Sequence, residues 1–129
     1  MNNNFWKGKR VLVTGDSGFK GAWLSLILSM HGAKVQGISS SKFSCNNELY
    51  SFLGINKISN TVDCDIRDFD GVLNTFNSFN PEIVFHLAAQ PLVRQSYIDP
   101  VTTYEVNVMG SMSILEAVRQ SPSVQSAVI

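Results

Sequence analysis

Short runs rich in apolar, often β-branched residues recur along the chain at Arg10–Thr14, Lys34–Ile38 and Glu82–Leu87, and Ser59–Val62 makes a weaker one. Their length and composition predict buried strands. Between them the apolar positions switch to helical spacing. Ala22, Trp23, Leu24, Leu26, Ile27, Leu28 and Met30 give a broad apolar face to a helix over about Lys20–His31, and Gly32 supplies its stop. Val72, Leu73 and Phe76 do the same for a helix over Asp70–Asn77. A longer helix starts at Pro100, with Asp99 as its cap, and runs through Tyr104, Val108, Met112, Leu115 and Val118 to about Gln120. Glu48–Leu53 reads as a short helix capped near Asn46 or Asn47 and ended by Gly54. The Ser39–Asn47 stretch is a polar loop, and Phe5 and Trp6 are aromatic anchors that cover the end of a sheet. Strand and helix alternate throughout, which predicts an α/β fold with a parallel sheet.

One junction carries candidate chemistry. The first strand breaks into Thr14-Gly15-Asp16-Ser17-Gly18-Phe19-Lys20-Gly21 and continues as a helix. A Gly-x-x-Gly-x-x-Gly turn between a buried strand and a helix is the layout that seats a dinucleotide pyrophosphate. The chain turns at Gly15, its backbone approaches the phosphates at Gly18, and Gly21 lets the helix pack close to the strand. A plain strand-to-helix turn also contains glycine; the β-α-β context on both sides favours nucleotide binding.

Further positions stay open between functional and bland readings. The second strand ends in Ser39-Ser40-Ser41 where a carboxylate would accept from ribose hydroxyls, and only Lys42 could welcome a 2′-phosphate. NAD and NADP therefore both remain. Asp65 lies just past a strand's carboxyl end and either accepts from an adenine amino group or caps the next helix; for Asp68, capping is the simpler role. Ala88-Ala89-Gln90-Pro91 puts small residues at the end of the fourth strand, where a cofactor's sugar and nicotinamide can lie against the backbone. His86, within that strand, reads as a hydrogen-bonded core residue. Asn107 is a solvated or backbone-bonded amide on an otherwise apolar helix. Arg94, Ser96 and Tyr97 precede that helix and either face an anionic ligand or decorate the surface.

Composition narrows the classes. The 129 residues carry formal net charge +0 and 44% hydrophobic residues, which fits one α/β domain and argues against nucleic acid as the main partner. Ser25, Ser29 and His31 interrupt the longest apolar stretch, so no membrane span is expected, and Met1-Asn2-Asn3-Asn4 lacks the marks of a secretory signal. Cys45, in the polar loop, and Cys64, in a strand-like run, have no metal-ligand spacing. No metal site is expected, and the reduced cytoplasm is the default compartment.

Thr14–Gly21, His86-Leu87-Ala88-Ala89-Gln90 and Asn107-Val108-Met109-Gly110 together resemble the extended short-chain dehydrogenase/reductases. Within that family, Phe5–Arg10, Gly18–Leu24 and Gln90–Tyr97 look most like the nucleotide-sugar 4,6-dehydratases that act on CDP-glucose. The resemblance implies tightly held NAD, reduced and reoxidised within one turnover. The sugar is oxidised at C4, water is eliminated across C5 and C6, and the hydride returns to C6. The product is a CDP-4-keto-6-deoxyglucose that feeds deoxysugar and polysaccharide biosynthesis. In that pattern Gly15, Ser17, Gly18, Phe19 and Gly21 line the pyrophosphate, and Asp65 with Ile66 meets the adenine. Leu87, Ala88, Ala89 and Gln90 run beside the ribose and nicotinamide. Asn107 matches a position that orders the active site. Beside that pattern, Gln90 and Arg94 are the candidate contacts to the nucleotide-sugar substrate. The family's helix pair at a two-fold axis makes Val101–Arg119 one half of a homodimer contact.

The resemblance also implies a Tyr-x-x-x-Lys pair, which this sequence lacks: Tyr50, Tyr97 and Tyr104 are followed four residues on by Gly54, Val101 and Val108. The proton shuttle of the chemistry is therefore missing. The expectation is a Rossmann-type doubly wound parallel sheet of order 3-2-1-4, with the last residues starting a fifth strand. Residues 1–129 would be the N-terminal portion of an NAD(P)-binding domain, the substrate-binding part lying outside them. Such a fragment is expected to be inactive by itself, and marginally stable because one edge of the fourth strand is uncovered. Two rivals share the glycines: a nucleotide-sugar epimerase of the same family, and a non-catalytic NAD(P)-binding protein that ends naturally at Ile129.

Overall fold

Val11, Leu12 and Val13 are completely buried in β1 (Arg10–Thr14), the strand at the middle of the sheet. The computed structural model describes residues 4–41 and 47–129. The expectations for Met1–Asn3, Lys42, Cys45 and a helix cap at Asn46 or Asn47 lie outside what it describes. After β1 come α1 (Phe19–Met30), β2 (Lys34–Ser39), α2 (Asn47–Phe52), β3 (Ser59–Asp63), α3 (Phe69–Phe79) and β4 (Ile83–His86). Then follow α4 (Val93–Ile98), α5 (Pro100–Tyr104), a π-helical segment (Glu105–Gly110), α6 (Ser111–Gln120) and β5 (Ser126–Val128). All strand pairs are parallel, in the order β3-β2-β1-β4-β5. The strand order reverses between β1 and β4, the switch point where a doubly wound sheet opens a crevice.

Alternation along β1 distributes its side chains to two cores. Leu12 joins Ile38, Cys64, Ile66, Val72, Phe76, Val84, Ile114 and Ala117 under α3 and α6. Val11 and Val13 join Leu28, Val35 and Ile83 under α1, with Trp6 packed against them. Trp6 is thus the anchor expected of the aromatic pair, while Phe5 stays exposed and meets the Trp6 ring edge-on at 4.9 Å. The starts of β1 and β4 are tied by Glu82, which accepts from Lys9 Nζ and from the Arg10 backbone N–H, each at 3.0 Å.

The structure departs from the sequence reading in five places. The apolar face of α1 is narrower than expected: Gly21, Ala22, Ser25 and Leu28 are buried, whereas Trp23, Ile27 and Met30 are exposed. A helix laid across a sheet buries one stripe only. Residues 93–98, read as a lead-in, form the separate helix α4; Pro100 disfavours the helical region for Asp99, which sits at φ −134° and ψ 79°, so a new helix starts there. Asp99 caps it by accepting from Thr102 N–H at 3.0 Å. The helix expected from Pro100 to Gln120 runs its full length, but its middle stretch, Glu105–Gly110, is wound as a π turn. Asp68 caps α3 by accepting from Gly71 N–H at 3.2 Å, but Asp65 caps no helix: it accepts from the Arg67 backbone N–H at 3.0 Å. Finally, the far edge of β4 is covered, because β5 pairs with it at Ile83–Ser126, Val84–Ala127 and Phe85–Val128. Among the described residues no helix is long and apolar enough to cross a membrane.

Candidate functional site

Gly15 sits at φ 73°, and its N–H donates to Ile38 O at 2.7 Å, holding the end of β1 against β2. A Cβ at Gly15 would come within 2.8 Å of Ala88 N, so the turn lies hard against the chain leaving β4. A Cβ at Gly21 would overlap the Gly15 carbonyl oxygen, so α1 starts in contact with the turn it leaves. Gly18, the N-cap of α1, brings no capping side chain, and the first turn contains no acidic residue. The amide end of a twelve-residue helix is therefore left for an external anion, with the positive end of the helix dipole behind it.

That helix end opens onto a cavity of about 720 Å³ at the carboxyl ends of β1, β2 and β4. Gly15, Ser17, Gly18, Phe19, Gly21, Asp65, Ile66, Leu87, Ala88, Ala89 and Gln90 all line it. Ile38, Ser39, Ser40, Lys20, Cys64, Pro91, Leu92, Gln95 and Val106 complete the wall. Arg94 and Asn107 are not among the lining residues. Arg94 is exposed on α4, as is Tyr97, and Ser96 donates back to Val93 O at 2.6 Å. Asp65 is held by the Arg67 guanidinium, 2.7 Å away, and Arg67 also reaches Glu105 on the π turn at 2.9 Å.

A chain of buried and half-buried hydrogen bonds runs behind the cavity. Ser111 Oγ donates to Asn107 O at 2.7 Å, so it accepts from His86 Nε2–H at 2.8 Å. His86 Nδ1 must then accept from Thr14 Oγ1 at 2.6 Å, and Thr14 Oγ1 accepts from Ala88 N–H at 3.2 Å. Each donor and acceptor is assigned only if His86 is neutral with its proton on Nε2. His86 is the core residue expected, and its two bonds join β1 and β4 to α6.

Burial lowers the His86 pKa below its ordinary 6.5. The unfolded chain then binds this proton before the native one does. The stability that neutral His86 contributes is complete above pH 6.5 and is lost as pH falls through the lowered native pKa. The slope approaches about 1.4 kcal/mol per pH unit in that window. Urea unfolding between pH 7 and pH 5 should show it as a difference between wild type and His86→Gln. An identical pH dependence in both would contradict the neutral assignment. The comparison is needed because burial raises the Asp16 pKa, so its contribution has the opposite sign: complete below 3.8 and lost as pH rises through the raised native value.

Gln90 is the hub of the loop after β4. Asn107 Oδ1 accepts from Gln90 N–H at 2.8 Å and Asn107 Nδ2 donates to Gln90 O at 3.1 Å. The Gln90 amide accepts from Leu92 N–H at 2.7 Å and donates to Leu92 O and Thr103 Oγ1. The π turn gives Asn107 this reach, and such turns recur at functional sites.

Sequence reasoning missed Asp16. It is fully buried beneath the glycine turn, and its carboxylate accepts from Ser39 Oγ at 2.6 Å and from Thr61 Oγ1 at 2.5 Å. The available signal was a serine at the end of β2 and a threonine in the middle of β3, a pair with no fixed spacing. Among the described residues no His/Cys/Asp/Glu group is arranged to hold a metal ion.

Comparison with known proteins gives consistent results. The model of the GDP-mannose 4,6 dehydratase family matches residues 12–128. A CDP-glucose 4,6-dehydratase of Salmonella typhimurium is 46% identical over 128 residues, covering 99% of this chain and 35% of that protein. A UDP-glucose 4-epimerase of Mycolicibacterium smegmatis is 37% identical over 110 residues, covering 85% of this chain and 34% of that one. Among solved structures, the UDP-glucose 4-epimerase of Thermus thermophilus in complex with NAD superposes with a TM-score of 0.82 at 35% identity. The match covers 93% of this chain and 36% of that one. The chain thus spans about a third of the length of these relatives.

Proposed function

The chain belongs to the GDP-mannose 4,6 dehydratase family, and from that footing we propose that it is the cofactor-binding portion of an NAD-dependent 4,6-dehydratase acting on CDP-glucose. The observation that carries the reading is the uncapped start of α1, set on a Cβ-free turn at the sheet's switch point and open to a cavity of about 720 Å³. A diphosphate suits that helix end in charge and in donor supply. The residues present fit NAD along its length. Gly15, Ser17, Gly18, Phe19 and Gly21 would hold the pyrophosphate, Asp65 and Ile66 the adenine, and Leu87, Ala88, Ala89 and Gln90 the ribose and nicotinamide.

When bound, NAD supplies a hydride acceptor and, in its reduced form, a donor. What this chain contributes is position. The Thr14–His86–Ser111 bonds hold Ala88 at the cavity wall, and Asn107 clamps Gln90 beside it. Orientation of this kind removes entropy from the barrier before reaction. Among the described residues neither a Tyr-x-x-x-Lys pair nor another paired acid and base lies in the cavity wall. Arg94 is exposed on α4 and does not line the cavity, so a contact with substrate would have to form outside it. The exposed apolar residues Val101, Tyr104, Val108, Met109, Met112 and Leu115 form the surface through which two copies would pair.

The test has two arms. Titration of the protein with NAD should shift the amide signals of residues 15–21, and undisturbed signals in a well-folded sample would remove the basis of the assignment. The intact protein that carries this chain should convert CDP-glucose to a 4-keto-6-deoxy product with loss of one water, in preference to dTDP-, UDP- and GDP-sugars. Epimerised sugar without water loss would instead place it with the epimerases.

A further inference from the structure

The buried carboxylate of Asp16 has no part in the scheme above, yet several elements are arranged around it. A Cβ at Gly37 on β2 would collide with the Asp16 carboxylate, so that position is kept free for it. Ser39 at the end of β2 and Thr61 on β3 each donate a hydroxyl proton to it. Tyr50 on α2 continues the chain through a 2.6 Å bond to Thr61 Oγ1. One hydroxyl donor on each oxygen suits the ionised form, against which burial works by raising the Asp16 pKa.

The consequence falls on Ser39, the one hydroxyl donor of this group that lines the cavity wall. Its hydroxyl proton is committed to Asp16 at 2.6 Å, and one Oγ lone pair takes the Ser17 N–H at 3.1 Å. A hydroxyl oxygen has two lone pairs, so Ser39 presents to the cavity one acceptor and no donor. The end of β2 is where a Rossmann fold normally places an acidic side chain against the ribose 2′-hydroxyl. Here the carboxylate arrives from the glycine turn and acts one atom further back.

We propose that Asp16 is a positioning residue that makes Ser39 an obligate hydrogen-bond acceptor for the adenosine 2′-hydroxyl and so selects NAD over NADP. The inference rests on the cofactor reading above and deepens it. A 2′-hydroxyl donates to Ser39 Oγ; a 2′-phosphate, itself an acceptor and anionic, meets a second acceptor with a buried negative charge behind it.

Dissociation constants for NAD, NADP and 2′-deoxy-NAD, measured on the intact protein that carries this chain, test the inference. Wild type should bind both NADP and 2′-deoxy-NAD at least tenfold more weakly than NAD. In Asp16→Asn the amide nitrogen becomes a donor, which frees the Ser39 proton to point outward. The NADP-to-NAD ratio of dissociation constants should then fall at least fivefold, and the 2′-deoxy penalty should shrink. Ser39→Thr should retain the wild-type order, and Ser39→Ala should lose the 2′-deoxy penalty. These ratios separate the role from simple support of the turn, which would weaken all three ligands alike. If Asp16→Asn does not fold, the wild-type 2′-deoxy-NAD measurement and Ser39→Ala decide the matter. Equal affinity of wild type for NAD and 2′-deoxy-NAD would overturn the inference while leaving the cofactor reading intact. Failure of wild type to bind NAD at all would overturn both.

Discussion

Gly21→Ala should weaken NAD binding at least about a hundredfold, equivalent to roughly 2.7 kcal/mol. The new methyl group would overlap the Gly15 carbonyl oxygen and lie 2.7 Å from Asp16 Cα, both backbone atoms of the turn. No rotamer relieves a backbone clash, so either α1 moves off β1 or the turn opens. In both cases the amides at the start of α1 leave the positions that meet a diphosphate. Stability falls as well, by about 1–3 kcal/mol, the usual cost of forcing an extra carbon into a packed site. Gly54→Ala separates the two effects. Gly54, unlike Gly21, has positive φ, at 65°, and a Cβ there meets nothing within 4 Å. That variant should lose about 1 kcal/mol of stability from backbone strain and keep its NAD affinity. Thermal melts together with NAD titration of the two variants check the contrast. NAD affinity in Gly21→Ala within a few-fold of wild type would show that the turn does not set the binding geometry.

The same contrast explains what could be read from the residues alone. β1 and β4 were legible because strands buried on both faces leave continuous apolar runs, and β2 through Val35 and Ile38 after the Gly32 stop; the β-α-β order then fixes the sheet. The glycine turn was legible for a related reason: close approach of backbones demands a missing side chain, and that demand is visible as a residue type. The Asp16 network was not legible because its partners lie 23 and 45 residues away, and a serine or threonine on a strand looks the same with or without a buried acid behind it. Helix α4 escaped because none of its residues is buried, so it leaves no apolar rhythm. The π turn escaped because hydrogen-bond register inside a helix changes no residue type. Val106 and Gly110 are buried in it, a spacing that a regular helix would also show. Position 107 could be read as a backbone-bonded amide, but its partner could not be named without the fold.

That partner makes Asn107 the second position with a large expected effect. Gln90 N–H needs an acceptor and Gln90 O needs a donor, and one carboxamide supplies both at 2.8 and 3.1 Å. The orientation of the amide follows from those roles, since only Oδ1 can face the N–H and only Nδ2 the carbonyl. Asn107→Leu fills similar space but strands both Gln90 groups, at about 1–3 kcal/mol for each one left without water. The loop from Leu87 to Leu92 should loosen, and NAD affinity should fall at least tenfold, about 1.4 kcal/mol. Asn107→Asp dissects the clamp, because a carboxylate still accepts from Gln90 N–H but sets an oxygen against Gln90 O. Its affinity should lie closer to that of Asn107→Leu than to wild type, since repulsion replaces the lost bond. Hydrogen exchange of the Gln90 amide reads the clamp directly: fast in Asn107→Leu and still protected in Asn107→Asp. Protection in both variants, with wild-type NAD affinity, would mean that the Gln90 side-chain bonds to Leu92 and Thr103 suffice to hold the loop. The expected ordering assigns that task to the backbone clamp, because the Gln90–Leu92 bonds lie within the loop and the Gln90–Thr103 bond ties only a flexible side chain to α5, whereas Asn107 holds the loop's backbone against the π turn.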